Sequence, residues 1–163
     1  MNFIMIIKRI ALFMLISAIP QIATAYPAIV SHITDGDTLD VLAYGNTETP
    51  ITLRLYGIDA PEKNQPGGAE SAAYLREMLP KGSAIEVLER RADKYGRAIA
   101  IVYSQGHCVN TAMLRAGHAW YYPRFCHGRL CTQWGHIQDD AARDGVGLWK
   151  EPQPIPPWEW RKR

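Results

Sequence analysis

The stretch Ile51-Thr52-Leu53-Arg54-Leu55-Tyr56-Gly57-Ile58 alternates apolar and polar side chains and runs into Asp59-Ala60-Pro61-Glu62. An alternation of period two is the signature of a strand with one face buried and the other toward solvent. Ile51, Leu53 and Leu55 therefore face a core, and Arg54 is expected on the solvent side. Pro61 disfavours helical geometry at Ala60, so Asp59 and Glu62 leave the strand on a stiff, extended exit. A guanidinium and two carboxylates end up at one strand end, and the rest of the chain has to be arranged around that end.

The preceding residues predict two more strands, 28–33 and 38–44, on either side of Asp35-Gly36-Asp37, with Gly45-Asn46 turning the chain into the Arg54 strand. A loop, Lys63-Asn64-Gln65-Pro66-Gly67-Gly68, then leads to residues 69–79, where Ala72, Leu75, Met78 and Leu79 recur at helical spacing. Residues 84–89 and 98–103 form a hairpin around Asp93-Lys94-Tyr95-Gly96-Arg97, with Arg97 at its base. A short helix is expected over 109–115, an extended piece over 118–122 and an amphipathic helix over 132–144. Five strands with about three packed helices make an α+β fold, and the oligonucleotide-binding barrel is the architecture that fits this order.

Before these elements, Lys8 and Arg9 precede an apolar run over residues 10–19 and then Ala23-Thr24-Ala25. Charged, apolar and small-residue parts in that order mark a secretory signal, with cleavage after Ala25, and the apolar run is short for a membrane span. The expected organisation is a signal peptide at 1–25, one domain at 26–150 and a proline-rich basic tail at 151–163, read as extended packing or linker. Loss of the leader, which carries Lys8 and Arg9 and no acid, brings the formal net charge from +2 to zero. Any polyanion must then be held by placed cations and not by bulk attraction.

The chemistry sits in a few acids and arginines. Asp35-Gly36-Asp37 by itself reads as a turn, but if the first hairpin packs beside the Arg54 strand, Asp37 can face Asp59. Two carboxylates at close range repel unless a cation joins them, and oxygen-only ligands suit a hard ion, calcium or magnesium. Arg54 and Arg97 together can hold a phosphodiester under attack through paired hydrogen bonds that lysine cannot match. Glu62 could then take a proton from, or orient, an attacking water.

Asp35-Gly36-Asp37-Thr38, Leu53-Arg54-Leu55 with Ile58-Asp59-Ala60-Pro61-Glu62, and Asp93-Lys94-Tyr95-Gly96-Arg97, in that order, resemble the staphylococcal nuclease family. The resemblance covers residues 28–149, with Val109-Asn110 and Gly147-Leu148-Trp149 as further family positions. It implies a calcium-dependent, sugar-nonspecific endonuclease that leaves 3′-phosphates and 5′-hydroxyls on DNA and RNA. Carried over, Asp37, Asp59 and the Ala60 carbonyl would be calcium ligands, and Arg54, Glu62 and Arg97 the catalytic set. Lys94 and Tyr95 would touch substrate; Trp120 and Tyr122 stand where the family has two substrate-lining tyrosines, and both can stack on a base.

An exported chain meets an oxidising compartment, so a Cys126–Cys131 bridge is expected, although pairing of Cys108 with either partner stays open. Zinc from Cys126, Cys131 and His136 matches no common spacing. The sequence implies DNA and RNA as substrates, no stable protein partner, a monomer, membrane contact only through the leader, and a periplasmic or secreted protein. The competing reading is a catalytically inert binding module on the same barrel, or a calcium-binding structural domain. Retention of Asp37, Arg54, Asp59, Glu62 and Arg97 favours the enzyme.

Overall fold

The computed structural model describes residues 25–163, so the expected leader, Ala25 apart, lies outside the described residues. The first three strands are β1 (Ala25–Ile33), β2 (Thr38–Ala43) and β3 (Asn46–Leu55), an antiparallel meander. In β1, Val30 and Ile33 are three residues apart and both buried, which a regular strand cannot achieve. A bulge between Val30 and His32 resolves the conflict: Ser31 is the extra residue, and its hydroxyl donates to the Asp40 carbonyl at 3.0 Å.

The strand expected over 51–58 starts earlier and ends at Leu55, and Ile58–Asp59 forms a separate short strand, β4. Gly57 causes the break. Its φ is +72°, and a Cβ there would come within 2.5 Å of Cys126 Sγ and 2.7 Å of the Trp134 ring, so only glycine fits the corner. The chain then forms α1 (Gly68–Met78), the hairpin β5 (Ala84–Ala92) and β6 (Ala98–Ser104), the short β7 (His107–Cys108), and α2 (Val109–Arg115). β8 (Trp120–Tyr121) pairs with β4, setting Ile58 against Tyr121 and Asp59 against Trp120.

β1 pairs with both β2 and β5, β5 pairs with β6, and β6 closes on β3 in parallel, with Arg54 opposite Ile99. The ring β3-β2-β1-β5-β6 is a closed five-stranded barrel, the α+β architecture expected from the strand order. Its interior is filled by Leu39, Val41, Leu53, Leu55, Val87 and Val102, all essentially inaccessible to water. Closure also moves the Arg97 turn to the end of β3 that carries Arg54, because β6 begins immediately after Arg97.

Asn110, at the start of α2, holds that closure. Fully buried, it accepts from the Val102 N–H at 3.0 Å and donates to the Tyr56 carbonyl at 2.9 Å and the Ala100 carbonyl at 3.3 Å. Asn110→Ala would strand one donor and weaken two acceptors in a dry interior, for an expected loss of about 3 kcal/mol in chemical unfolding. A loss under about 0.5 kcal/mol would show that water can replace the amide.

The last long helix, α3 (Arg129–Arg143), starts three residues earlier than its apolar period indicates. Cys131 in its first turn is bonded to Cys126, with the two Cα atoms 5.5 Å apart, and both are buried; Cys108 is a free thiol. A loop this short contributes about 2 kcal/mol in the chain-entropy picture, so Cys126→Ser with Cys131→Ser should lower the unfolding free energy by about that amount. On the buried face of α3, Trp134 is fully inaccessible, and its indole donates to Thr111 Oγ1 at 2.8 Å.

Of the two readings of the proline-rich tail, extended packing and linker, the described residues show packing with a helical turn. After a single 3₁₀ turn at Gly147–Lys150, the chain crosses to the helical turn α4 (Pro157–Trp160). Buried Gln65 donates to the Ile155 carbonyl at 2.6 Å and accepts from the Glu62 N–H at 3.1 Å, tying the tail to the Glu62 loop. No helix among the described residues is long and apolar enough to cross a membrane.

Candidate functional site

The loop between β1 and β2 is shaped by close packing. A Cβ on Gly36 would overlap Ser71 Oγ and lie 2.7 Å from Ala60 Cβ, so the glycine lets this loop sit directly on the strand exit. Asp35 accepts from the Asp37 N–H at 3.1 Å, a local turn that aims Asp37 inward. One Asp37 oxygen accepts from the Ala60 N–H at 2.5 Å, and the other accepts from the Thr38 hydroxyl at 3.0 Å.

Arg54 was expected in solvent, but its side chain is only 13% exposed. The β1–β2 loop on one side and β4 on the other enclose it: Nη1 pairs with Asp37 Oδ2, and Nη2 with Asp59 Oδ1 at 2.6 Å. The guanidinium thus separates two carboxylates that would otherwise repel. Burial pushes the Asp37 carboxyl up to about 7, against the pull of Arg54, with Asp35 and Asp59 adding to the rise. Asp59 is wholly buried.

Asp37, Arg54, Asp59, Ala60, Glu62, Lys94, Tyr95, Arg97 and Tyr122 all line one open cleft of about 760 Å³. Three segments far apart in sequence meet there: the loop before β2, the exit from β3 through β4, and the β5–β6 turn. Arg97 is set by Asp93, which accepts from the backbone N–H of Tyr95 at 2.8 Å and of Arg97 at 3.0 Å, and from Arg97 Nε at 2.8 Å. Burial raises the Asp93 carboxyl somewhat, but these hydrogen bonds outweigh it and leave it below the ordinary aspartate range. Tyr95 projects into solvent at the turn, with Lys94 Nζ 4.9 Å and the Arg97 guanidinium 5.6 Å from its ring centre.

Trp120 and Tyr122 part company. The strand ends at Tyr121, so Tyr122 does not keep the face that alternation would give it, and Trp120 lies edge-on to Trp149, ring centres 4.3 Å apart, beside a separate cavity lined by Gln65, His118 and Ile155. Only Tyr122 reaches the cleft, where Phe125 and Arg91 join it.

The cleft also contains a residue that sequence reasoning missed. Arg161, just after α4, places Nη2 2.6 Å from Asp59 Oδ2 and Nη1 2.5 Å from Glu62 Oε1. Burial works against its charge, yet the hydrogen bonds to Asp59 and Glu62 hold its proton more tightly than in an ordinary arginine. No local signal marks Arg161, since its partners lie 102 and 99 residues away in a tail with no motif of its own.

Among the described residues, no three His, Cys, Asp or Glu side chains stand close enough to cage a metal ion alone. An ion here would draw on two carboxylates, a backbone carbonyl and water or substrate oxygens, a set that hard cations accept. Asp59 already binds positive charge on both oxygens, Oδ1 from Arg54 and Oδ2 from Arg161, which is the behaviour such a donor set requires.

Comparison with known proteins agrees with this arrangement. Residues 52–151 match the family described as staphylococcal nuclease homologue. An uncharacterized endonuclease of Haemophilus influenzae is 37% identical over 82% of this chain and 72% of its own. An uncharacterized endonuclease of Escherichia coli O157:H7 is 33% identical over 96% of this chain and 98% of its own. The micrococcal nuclease of Shigella flexneri is 34% identical over 82% of this chain and 79% of its own. With a matching barrel, a cleft assembled from the same three motifs and relatives of this extent, the chain belongs to the staphylococcal nuclease family.

Proposed function

We propose that the protein is an exported endonuclease that hydrolyses phosphodiester bonds of DNA and RNA with calcium as its cofactor, leaving 3′-phosphate and 5′-hydroxyl ends. The observation that carries this reading is the meeting of Asp37, Arg54, Asp59, Glu62 and Arg97 on one open cleft of about 760 Å³. Asp37, Asp59 and the Ala60 carbonyl would hold calcium, which when bound supplies a Lewis acid for the phosphate and a template for the reactants. Glu62 takes a proton from water as its oxygen attacks phosphorus, the bond to the 5′-oxygen breaks, and that oxygen leaves as the hydroxyl on taking a proton from solvent water. Arg54 and Arg97 hold the phosphate oxygens on which negative charge grows. Tyr122 offers a base its ring face, and Lys94 and Tyr95 meet the strand at the cleft rim. Export rests on the leader at 1–25 and suits a mature chain of zero formal net charge.

Digestion of plasmid and of RNA by the mature protein, in calcium, in magnesium and in chelator, tests the reading. Cleavage of both polymers in calcium, none in chelator and 3′-phosphate ends is the expected result. Equal activity in chelator removes the metal from the mechanism, and intact plasmid under all three conditions leaves the protein a binding module.

A further inference from the structure

Two groups of the tail hold positions that, on the proposed function, a nuclease needs free: one lines the cleft and the other stacks on a residue of its wall. The first is the Arg161 guanidinium, which bridges the buried Asp59 carboxylate and the half-exposed Glu62 carboxylate. The second is the Trp158 ring, which lies parallel to Tyr122 with an interplanar angle of 3° and centres 5.0 Å apart. A planar cation occupies the acids and a planar ring occupies the stacking face. Both come from a single turn of chain, residues 157–161, so they arrive or leave together.

The turn is anchored to the body on three sides. Trp158 also meets Trp120 edge-on at 5.8 Å, the Trp160 indole donates to Asn64 Oδ1 at 3.3 Å, and the preceding Ile155 carbonyl is held by Gln65. Pro156 and Pro157 stiffen the entry, and Pro157 is buried. The contacts inside the cleft are of a releasable kind. The Arg161–Glu62 pair is exposed at both ends, 42% and 37%, and such pairs are weak and screened by salt, while the pair to buried Asp59 yields only to a group that brings its own positive charge.

We propose that residues 156–163 form an intramolecular gate, in which Arg161 competes with the divalent cation for Asp59 and covers the Glu62 carboxylate that must reach water, while Trp158 competes with a nucleobase for Tyr122. This rests on the calcium-dependent nuclease reading. A cation alone or a base alone displaces only half of the gate's contacts; together they displace both. Cation and nucleic acid therefore favour each other's binding, and the free protein is held closed when either is scarce. A closed fraction lowers apparent affinity in proportion to the open population, so removing Arg161 raises affinity without adding any contact to the ion.

The test uses the full mature chain and the variants Arg161→Gln and Trp158→Ala. Calorimetric titration with calcium, without nucleic acid, is expected to show Arg161→Gln binding about tenfold more tightly, as for a parent whose cleft is open roughly one-tenth of the time. Titration with a short oligothymidylate in chelator is expected to show tighter binding by Trp158→Ala, and hydrogen exchange of amides 157–163 in the parent should speed up when both ligands are added. Equal or weaker calcium binding by Arg161→Gln, with calcium-dependent cleavage intact, overturns the gate and leaves the nuclease reading standing. Calcium binding by neither chain, with cleavage persisting in chelator, overturns the calcium reading and the gate with it.

Discussion

Glu62→Gln should lower the rate of calcium-supported plasmid cleavage by roughly 10²- to 10⁴-fold, the range over which a positioned general base acts. Glutamine has the shape of glutamate and can still accept a hydrogen bond, but it cannot take the proton from water. The side chain is 37% exposed and its listener in the structure is Arg161, so the fold loses little when the charge is removed. The partner contact makes the prediction sharper. Weakening the Glu62 to Arg161 pair should by itself loosen the tail and raise activity, opposite in sign to the loss of the base. Initial rates at saturating calcium separate the two effects, and cleavage near the parent rate would remove Glu62 from the chemistry.

Arg97→Lys should lower the same rate by about 10²- to 10³-fold, the scale of losing one placed donor to a developing oxyanion. Lysine keeps the charge but not the planar fork, so it cannot hold two phosphate oxygens at once or keep a hydrogen bond to Asp93 while doing so. Asp93 makes this more than a matter of charge. Its carboxylate fixes the turn through two backbone N–H groups and holds the Arg97 side chain through Nε, so Arg97 lines the cleft with its two outer nitrogens outside the Asp93 contact. Because the Asp93 carboxyl is depressed in the folded chain, its stabilisation is present above the ordinary aspartate range and is lost as the pH falls through its folded value. The Arg97 orientation should therefore hold throughout neutral pH. A full parent rate for Arg97→Lys, measured on plasmid with calcium saturating, would mean that charge alone suffices.

Much of the barrel was legible because its signals are local. The period-two runs of β3 and β5 and the Asp93 to Arg97 turn need only neighbouring residues, and the strands are placed by burial of alternate side chains. The misreadings share one cause. Arg54 has the local pattern of a solvent-facing residue, and becomes enclosed only when the β1–β2 loop and β4 close over it. The strand through Ile58 breaks at Gly57 because Cys126 and Trp134, far along the chain, leave no room for a side chain at that corner. Trp120 sits two residues from Tyr122, yet the β4–β8 pairing and Trp149 turn it away from the cleft.

The sequence by itself determined the strand order, the acids and arginines, and their grouping into three short motifs, because period, turn chemistry and Pro61 act within a few residues. Tertiary structure decided what those groups touch. The parallel closure of β6 on β3 brings the Arg97 turn to Arg54, and the return of the tail sets Arg161 on Asp59 across 102 residues. Such contacts depend on how barrel and tail pack against each other, and no spacing along the chain encodes them.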